Sequence, residues 1–183
     1  PIDNWFLNHN FYSEKIYKKI LGLAEKWIDE VMEYDPSDVG ISVFSYNSHR
    51  ATILLSTLIK RRRPDIPIFM GGAGLNTDNN FGPYCMEQKI MDCWIRGEGE
   101  LSVPAYLSGD MNYPGLNGKP PKQIDKIDDL EFPDYSDYEL ASYTNKKGLV
   151  ALPITGSRGC VRACTFCDIA SMWPKYKYRS GHS

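Results

Sequence analysis

The chain has 183 residues, 21 Lys+Arg against 23 Asp+Glu, a formal net charge of −2 and 42% hydrophobic residues. This is the composition of a soluble globular protein with enough apolar residues for a core, and 13% aromatic content argues against disorder. A near-neutral balance supplies no field that would draw nucleic acid or an anionic membrane over the whole surface. No apolar run approaches the roughly 20 residues that cross a bilayer, and no secretory signal opens the chain, so a cytoplasmic location is expected.

Between residues 13 and 34, Ile16, Ile20, Leu21, Leu23, Ala24, Trp27, Ile28 and Val31 recur at three- and four-residue steps. The spacing predicts an amphipathic helix capped by Ser13 and stopped at Asp35-Pro36. Residues 38–44 read as a buried strand, and residues 48–63 as a second helix that turns Ile53, Leu54, Leu55, Leu58 and Ile59 inward. Its basic end, Lys60-Arg61-Arg62-Arg63, is read as cations complementing the helix dipole before Pro64, in preference to a nucleic-acid patch. Residues 66–70 form the next strand and run into Gly71-Gly72-Ala73-Gly74. A short helix near 82–89 leads to a third strand at 91–96, then to Gly97-Glu98-Gly99-Glu100 and a helix ending at Leu107. Strands alternating with helices predict parallel pairing through right-handed crossovers, hence an α/β domain with a flavodoxin/Rossmann-like parallel sheet.

That domain is assigned residues 1–108. Residues 109–148 are rich in proline and turn pairs but also in aromatics that can pack, which predicts an ordered interdomain connector. From residue 149 a further strand, 149–155, delivers the chain to Gly156-Ser157-Arg158-Gly159-Cys160 and opens a second domain.

Of five cysteines, Cys160, Cys164 and Cys167 fall within eight residues as CxxxCxxC, a pattern of metal or redox sites in a reducing compartment more than of a disulfide framework. Thiolates are soft ligands for iron–sulfur clusters, zinc or copper(I), so residue type alone leaves the metal open. A structural zinc site wants four ligands, and the other cysteines are only Cys85 and Cys93. A four-iron cluster held by three cysteines keeps one iron open to an exogenous ligand, which implies catalysis.

The run from Gly156 to Ile169, with Gly159, the three cysteines and Phe166, resembles the opening of a radical SAM core. The resemblance implies a 4Fe-4S cluster on Cys160, Cys164 and Cys167, S-adenosylmethionine chelating the fourth iron, and reductive cleavage to a 5′-deoxyadenosyl radical. It also implies that Phe166 sits against the adenine and that an electron donor such as flavodoxin or ferredoxin serves the cluster. Upstream, strands ending at Ile41-Ser42, at Gly71-Gly72 and at the 96–100 loop resemble the cobalamin-binding domain that precedes the radical core in one large subgroup. By that resemblance Ser42, Gly71 and Gly72 line the lower face of cobalamin, with Gly97 and Glu98 nearby.

The chain departs from that pattern in lacking the Asp-x-His-x-x-Gly loop that ligates cobalt. His9, His49 and His182 are read as surface or capping residues instead. The elements match strands three to five of a flavodoxin-like sheet, which predicts an N-terminally incomplete domain. A full (β/α)8 barrel needs about 250 residues, so the residues from Leu149 onward are expected to hold only the first strand and cluster loop of a partial (β/α) barrel. The expected function is radical chemistry, methylation or rearrangement, on an unknown small-molecule or peptide substrate. One alternative is a methylthiotransferase, for which Cys85 and Cys93 would have to serve a second cluster. The other is a non-catalytic cobalamin- or nucleotide-sensing module with a structural metal loop.

Overall fold

Helix α1 (Glu14–Met32) starts where Ser13, in extended backbone, turns its hydroxyl back to accept the Ile16 N–H at 3.4 Å. It belongs to a computed structural model that describes residues 13–77, 80–162 and 164–180. The helix buries Tyr17, Ala24 and Ile28 but exposes Ile16, Leu23 and, at 55%, Trp27, so its apolar arc is wider than the face it packs. The chain then turns through Asp35 at φ 45 into β1 (Val39–Ser42).

A 3-10 turn at Tyr46–Ser48 feeds α2 (His49–Arg62), which crosses over to β2 (Ile68–Gly71). Two short helices follow, α3 (Ala73–Thr77) and α4 (Phe81–Glu87), then β3 (Cys93–Trp94) and α5 (Gly99–Leu107). The strands pair in parallel in the order β1-β2-β3, with Ser42 opposite Gly71 and Met70 opposite Trp94. Chain order equals sheet order, which is what successive crossovers of one hand produce.

Alternation along β2 divides the core. Ile68 and Met70 join Val43, Ile53, Leu58, Ile59, Ala24 and Ile28 on the side of α1 and α2. Phe69 packs with Cys93, Ile95, Leu116, Val103 and Tyr106 on the other. The far edge of β3 is covered by a loop: Asn117 donates its N–H to the Trp94 carbonyl at 2.9 Å, its side-chain oxygen accepts the Trp94 N–H at 3.0 Å, and Arg96 N–H reaches the Gly115 carbonyl at 2.9 Å.

Three of the four cations at the basic end of α2 are paired within the fold. Lys60 Nζ lies 2.7 Å from Asp92, whose carboxylate also accepts the Ile68 N–H at 2.8 Å, while Arg62 pairs with Asp29 at 2.8 Å and Arg63 with Asp35 at 3.0 Å. No helix among the described residues is long and apolar enough to cross a membrane.

The chain divides into two compact units, Pro1–Lys122 and Gln123–Ser183. The second carries 3-10 turns at Ile127–Asp129 and Leu140–Tyr143, β4 (Ser157–Arg158), the single-turn helix α6 (Ile169–Met172) and β5 (Lys177–Tyr178). The strand expected at 149–155 does not form. That stretch is without secondary structure, Leu149 and Ile154 are 61% and 62% exposed, and Pro153 has no N–H to give a ladder. The strand beside the cysteine loop is β4 instead. It pairs antiparallel with β5, Ser157 opposite Tyr178, where a barrel opening calls for a parallel neighbour.

Candidate functional site

The carboxyl ends of β1 and β2 meet at a tight turn. Val43 N–H donates to the Gly71 carbonyl at 2.7 Å, and the Val43 carbonyl accepts the Gly74 N–H at 2.8 Å. Gly72 sits at φ +105, and a Cβ there would lie 2.6 Å from the Val43 carbonyl oxygen, so backbone fills the space a side chain would take. Gly71 differs: a Cβ on it would meet only Ile95, at 3.8 Å. Ser42, Gly71, Gly72 and Gly97 all line one cleft of about 380 Å³ at this end of the sheet, as the sequence grouped them. Glu98 is not among its lining residues. It heads α5, and its carbonyl accepts the Ser102 hydroxyl at 2.7 Å.

Gly40, Phe69 and Val103 also line the cleft and were not singled out by the sequence. The Phe69 ring lies across Gly40, where a Cβ would be 2.6 Å from Cζ, and its centroid is 5.0 Å from that of Tyr106. A glycine inside a strand signals such a close approach, so Gly40 could have been found. Val103 carried no signal, because nothing local says which face of α5 turns to the sheet.

His49 corrects the expectation of a surface or capping residue. It is buried at the start of α2, its ring stacked on Phe81 at 3.7 Å between centroids and tilted against Tyr46 at 5.2 Å. His9 and His182 lie outside the described residues.

The cysteine loop leaves β4 through Gly159 at φ +80, where a Cβ would fall 2.6 Å from the Lys175 carbonyl oxygen. Cys160, Cys164 and Cys167 are all exposed and unbridged, and Phe166 is 89% exposed. The Arg162 N–H points to Cys160 Sγ at 3.4 Å, and Cys167 N–H donates to the Cys164 carbonyl at 3.2 Å. Among the described residues no three Cys, His, Asp or Glu side chains converge as a metal cage. The donor set therefore suits a thiophilic metal or cluster by its chemistry and accessibility, while the loop does not hold the three sulfurs gathered.

Cys85 and Cys93 are of another kind. They lie fully buried in different hydrophobic clusters. Burial pushes the Cys85 thiol up to about 12 and the Cys93 thiol up to about 11, from an ordinary value of 9.0. Iodoacetamide at pH 8 is expected to modify Cys160, Cys164 and Cys167 in the native protein and the other two only after denaturation, as read by peptide mass spectrometry. Modification of Cys85 under native conditions would contradict its placement. The folded state also holds these two protons more tightly than the unfolded chain. Their contribution to stability is thus complete below about pH 9 and is lost as pH rises towards the folded values.

The chain is similar to an anaerobic magnesium-protoporphyrin IX monomethyl ester cyclase of Synechocystis sp., with 25% identity over 151 residues, covering 74% of this chain. The chain spans 30% of the length of the cyclase. No protein-family model and no solved structure matches the chain.

Proposed function

We propose that the chain forms part of a cobalamin-dependent-type radical SAM enzyme, with the first unit contributing to a cobalamin site and Cys160, Cys164 and Cys167 holding a 4Fe-4S cluster. The observation that carries the reading is the contrast among the five thiols: three exposed in one short loop entered through a left-handed glycine, two sealed in separate cores. The similarity to the cyclase covers most of the chain and agrees with it. When bound and reduced, the cluster supplies the electron that cleaves S-adenosylmethionine to a radical. This chain's residues contribute three thiolates, an exposed Phe166 ring for the adenine to stack on, and an open approach for a low-potential electron carrier in the cytoplasm. Methylation or rearrangement of a small-molecule or peptide substrate is the proposed outcome, and the sequence division at 1–108, 109–148 and 149–183 is part of the same proposal.

The glycine-lined cleft supports the cobalamin part. At about 380 Å³ it lies at the small end of ligand pockets, roughly 300–1,000 Å³. That size suits a nucleotide tail or the edge of a macrocycle. The position, outside the carboxyl ends of parallel strands, is where open α/β sheets bind ligands. The methylthiotransferase alternative is disfavoured, because Cys85 and Cys93 sit in clusters on opposite faces of the sheet and cannot share a second centre.

Anaerobic reconstitution of the full chain with iron and sulfide tests the reading. The expected product is brown, is reduced by dithionite to a paramagnetic state, and changes its spectrum on addition of S-adenosylmethionine. A colourless protein that retains zinc in preference would sink it.

A further inference from the structure

Residues 123–132 are fastened to residues 175–180 by a series of side-chain contacts. The Gln123 amide pairs both ways with the backbone of Lys175, donating from Nε2 to its carbonyl at 2.7 Å and accepting its N–H at 3.1 Å. Lys177 Nζ donates to the Asp125 carbonyl at 2.8 Å, and the Asp128 carboxylate accepts the Ser180 N–H at 2.8 Å. Arg179 makes the largest number of these contacts. Its Nε donates to the Thr155 carbonyl at 3.1 Å, its Nη2 reaches the carbonyls of Leu130 at 2.9 Å and Glu131 at 3.3 Å, and its guanidinium carbon lies 4.4 Å over the Phe132 ring. Its own N–H donates to the Gly156 carbonyl at 2.8 Å.

These contacts meet on the approach to the cysteine loop. Thr155 and Gly156 directly precede β4, β4 runs into Gly159, and Gly159 lies beneath the Lys175 carbonyl. Among the described residues regular structure adds little to this approach, since 149–155 forms no strand and β4 and β5 are two residues each, although the Tyr135 hydroxyl also donates to the Pro153 carbonyl. A planar guanidinium can serve carbonyls in several directions while stacking on a ring. An ammonium of the same charge cannot keep that set together.

We propose that Arg179 is a positioning residue for the cluster loop: it ties the entry at Thr155-Gly156 to the Leu130–Phe132 segment, so that Cys160 is presented from a fixed backbone. The inference rests on the proposed cluster-holding role of the three cysteines and gives Arg179 no contact with cluster or substrate. It explains how a loop whose sulfurs are not gathered can still be held to one starting geometry.

The test uses the full chain as wild type, R179K and R179A, with two readouts. Without metal, hydrogen exchange at residues 155–158 is expected to rise about tenfold in R179K and further in R179A, the effect of losing charge-assisted bonds, with residues 39–71 unchanged. After anaerobic reconstitution, both variants are expected to take up a cluster, show an altered spectrum in the reduced state, and lose iron to a chelator about tenfold faster than wild type. R179K matching the wild type in exchange overturns the clamp. Faster exchange with unchanged spectrum and iron retention overturns the positioning role and leaves a structural one. A wild-type chain that takes up no iron overturns the cluster reading and this role with it, an outcome distinct from a wild type that loads beside an indistinguishable R179K.

Discussion

Replacing Cys164 with alanine is expected to abolish cluster formation while shifting the melting temperature by no more than about 1–2 °C, as for an exposed substitution in a chain of this size. The side chain is exposed and unbridged, and the local hydrogen bond from Cys167 uses the Cys164 carbonyl, which alanine keeps. Two ligands cannot hold a four-iron cluster against loss in the way three can, so the effect on iron content is all or nothing. The control is Cys85→Ser, which puts a hydroxyl into a fully buried apolar site. It is expected to cost roughly 1–3 kcal/mol of stability and leave iron uptake intact. Iron and sulfide assays with a thermal melt on the same samples decide the matter. Full cluster content in the Cys164 variant would rule out its role as a ligand.

The second large effect separates two adjacent glycines. Gly71→Leu is expected to weaken cobalamin binding about a hundredfold, equivalent to roughly 3 kcal/mol of overpacking, with little change in stability. Its Cβ has ordinary room beside Ile95, and the remainder of the side chain projects where the cleft lies. Gly72→Ala is expected to lose about 1–3 kcal/mol of stability whether or not cobalamin is present. Here the new methyl must displace the Val43 carbonyl oxygen from a left-handed backbone position. Titration of aquacobalamin followed by absorbance, with melts of each variant, distinguishes the outcomes. Wild-type affinity in Gly71→Leu would remove the cleft from consideration.

Much of the first unit was legible because its signals are local or periodic. The three- and four-residue spacing gave α1 and its Ser13 cap, the alternation of elements gave a parallel sheet, and the turn glycines led to the cleft. What failed depended on partners distant in sequence. Residues 149–155 are a nearly continuous apolar run such as a buried strand would show, yet a strand exists only when another backbone accepts its hydrogen bonds, and pairing begins at Ser157 instead. His49 read as a helix-start polar residue because nothing near it in sequence shows that Phe81 lies flat against its ring. Helix α3 was absorbed into the glycine turn, since Gly71-Gly72-Ala73-Gly74 has low helix propensity and the five-residue helix is set by its packing, with Leu75 fully buried. In the site, the cysteine spacing was plain in the sequence. The Arg179 contacts were not, because they join residues about 24 to 49 apart.

The segregation of the thiols has a practical consequence for handling the protein. Oxidants reach the three loop sulfurs first, and disulfides or sulfenic acids formed there disturb no packed residue. The two cysteines whose oxidation would disrupt the core are sealed from solvent and from each other. A sample oxidised within this loop would therefore melt much like a sound one. Folding assays alone cannot certify a preparation, and every measurement of the loop requires a thiol count taken at the same time.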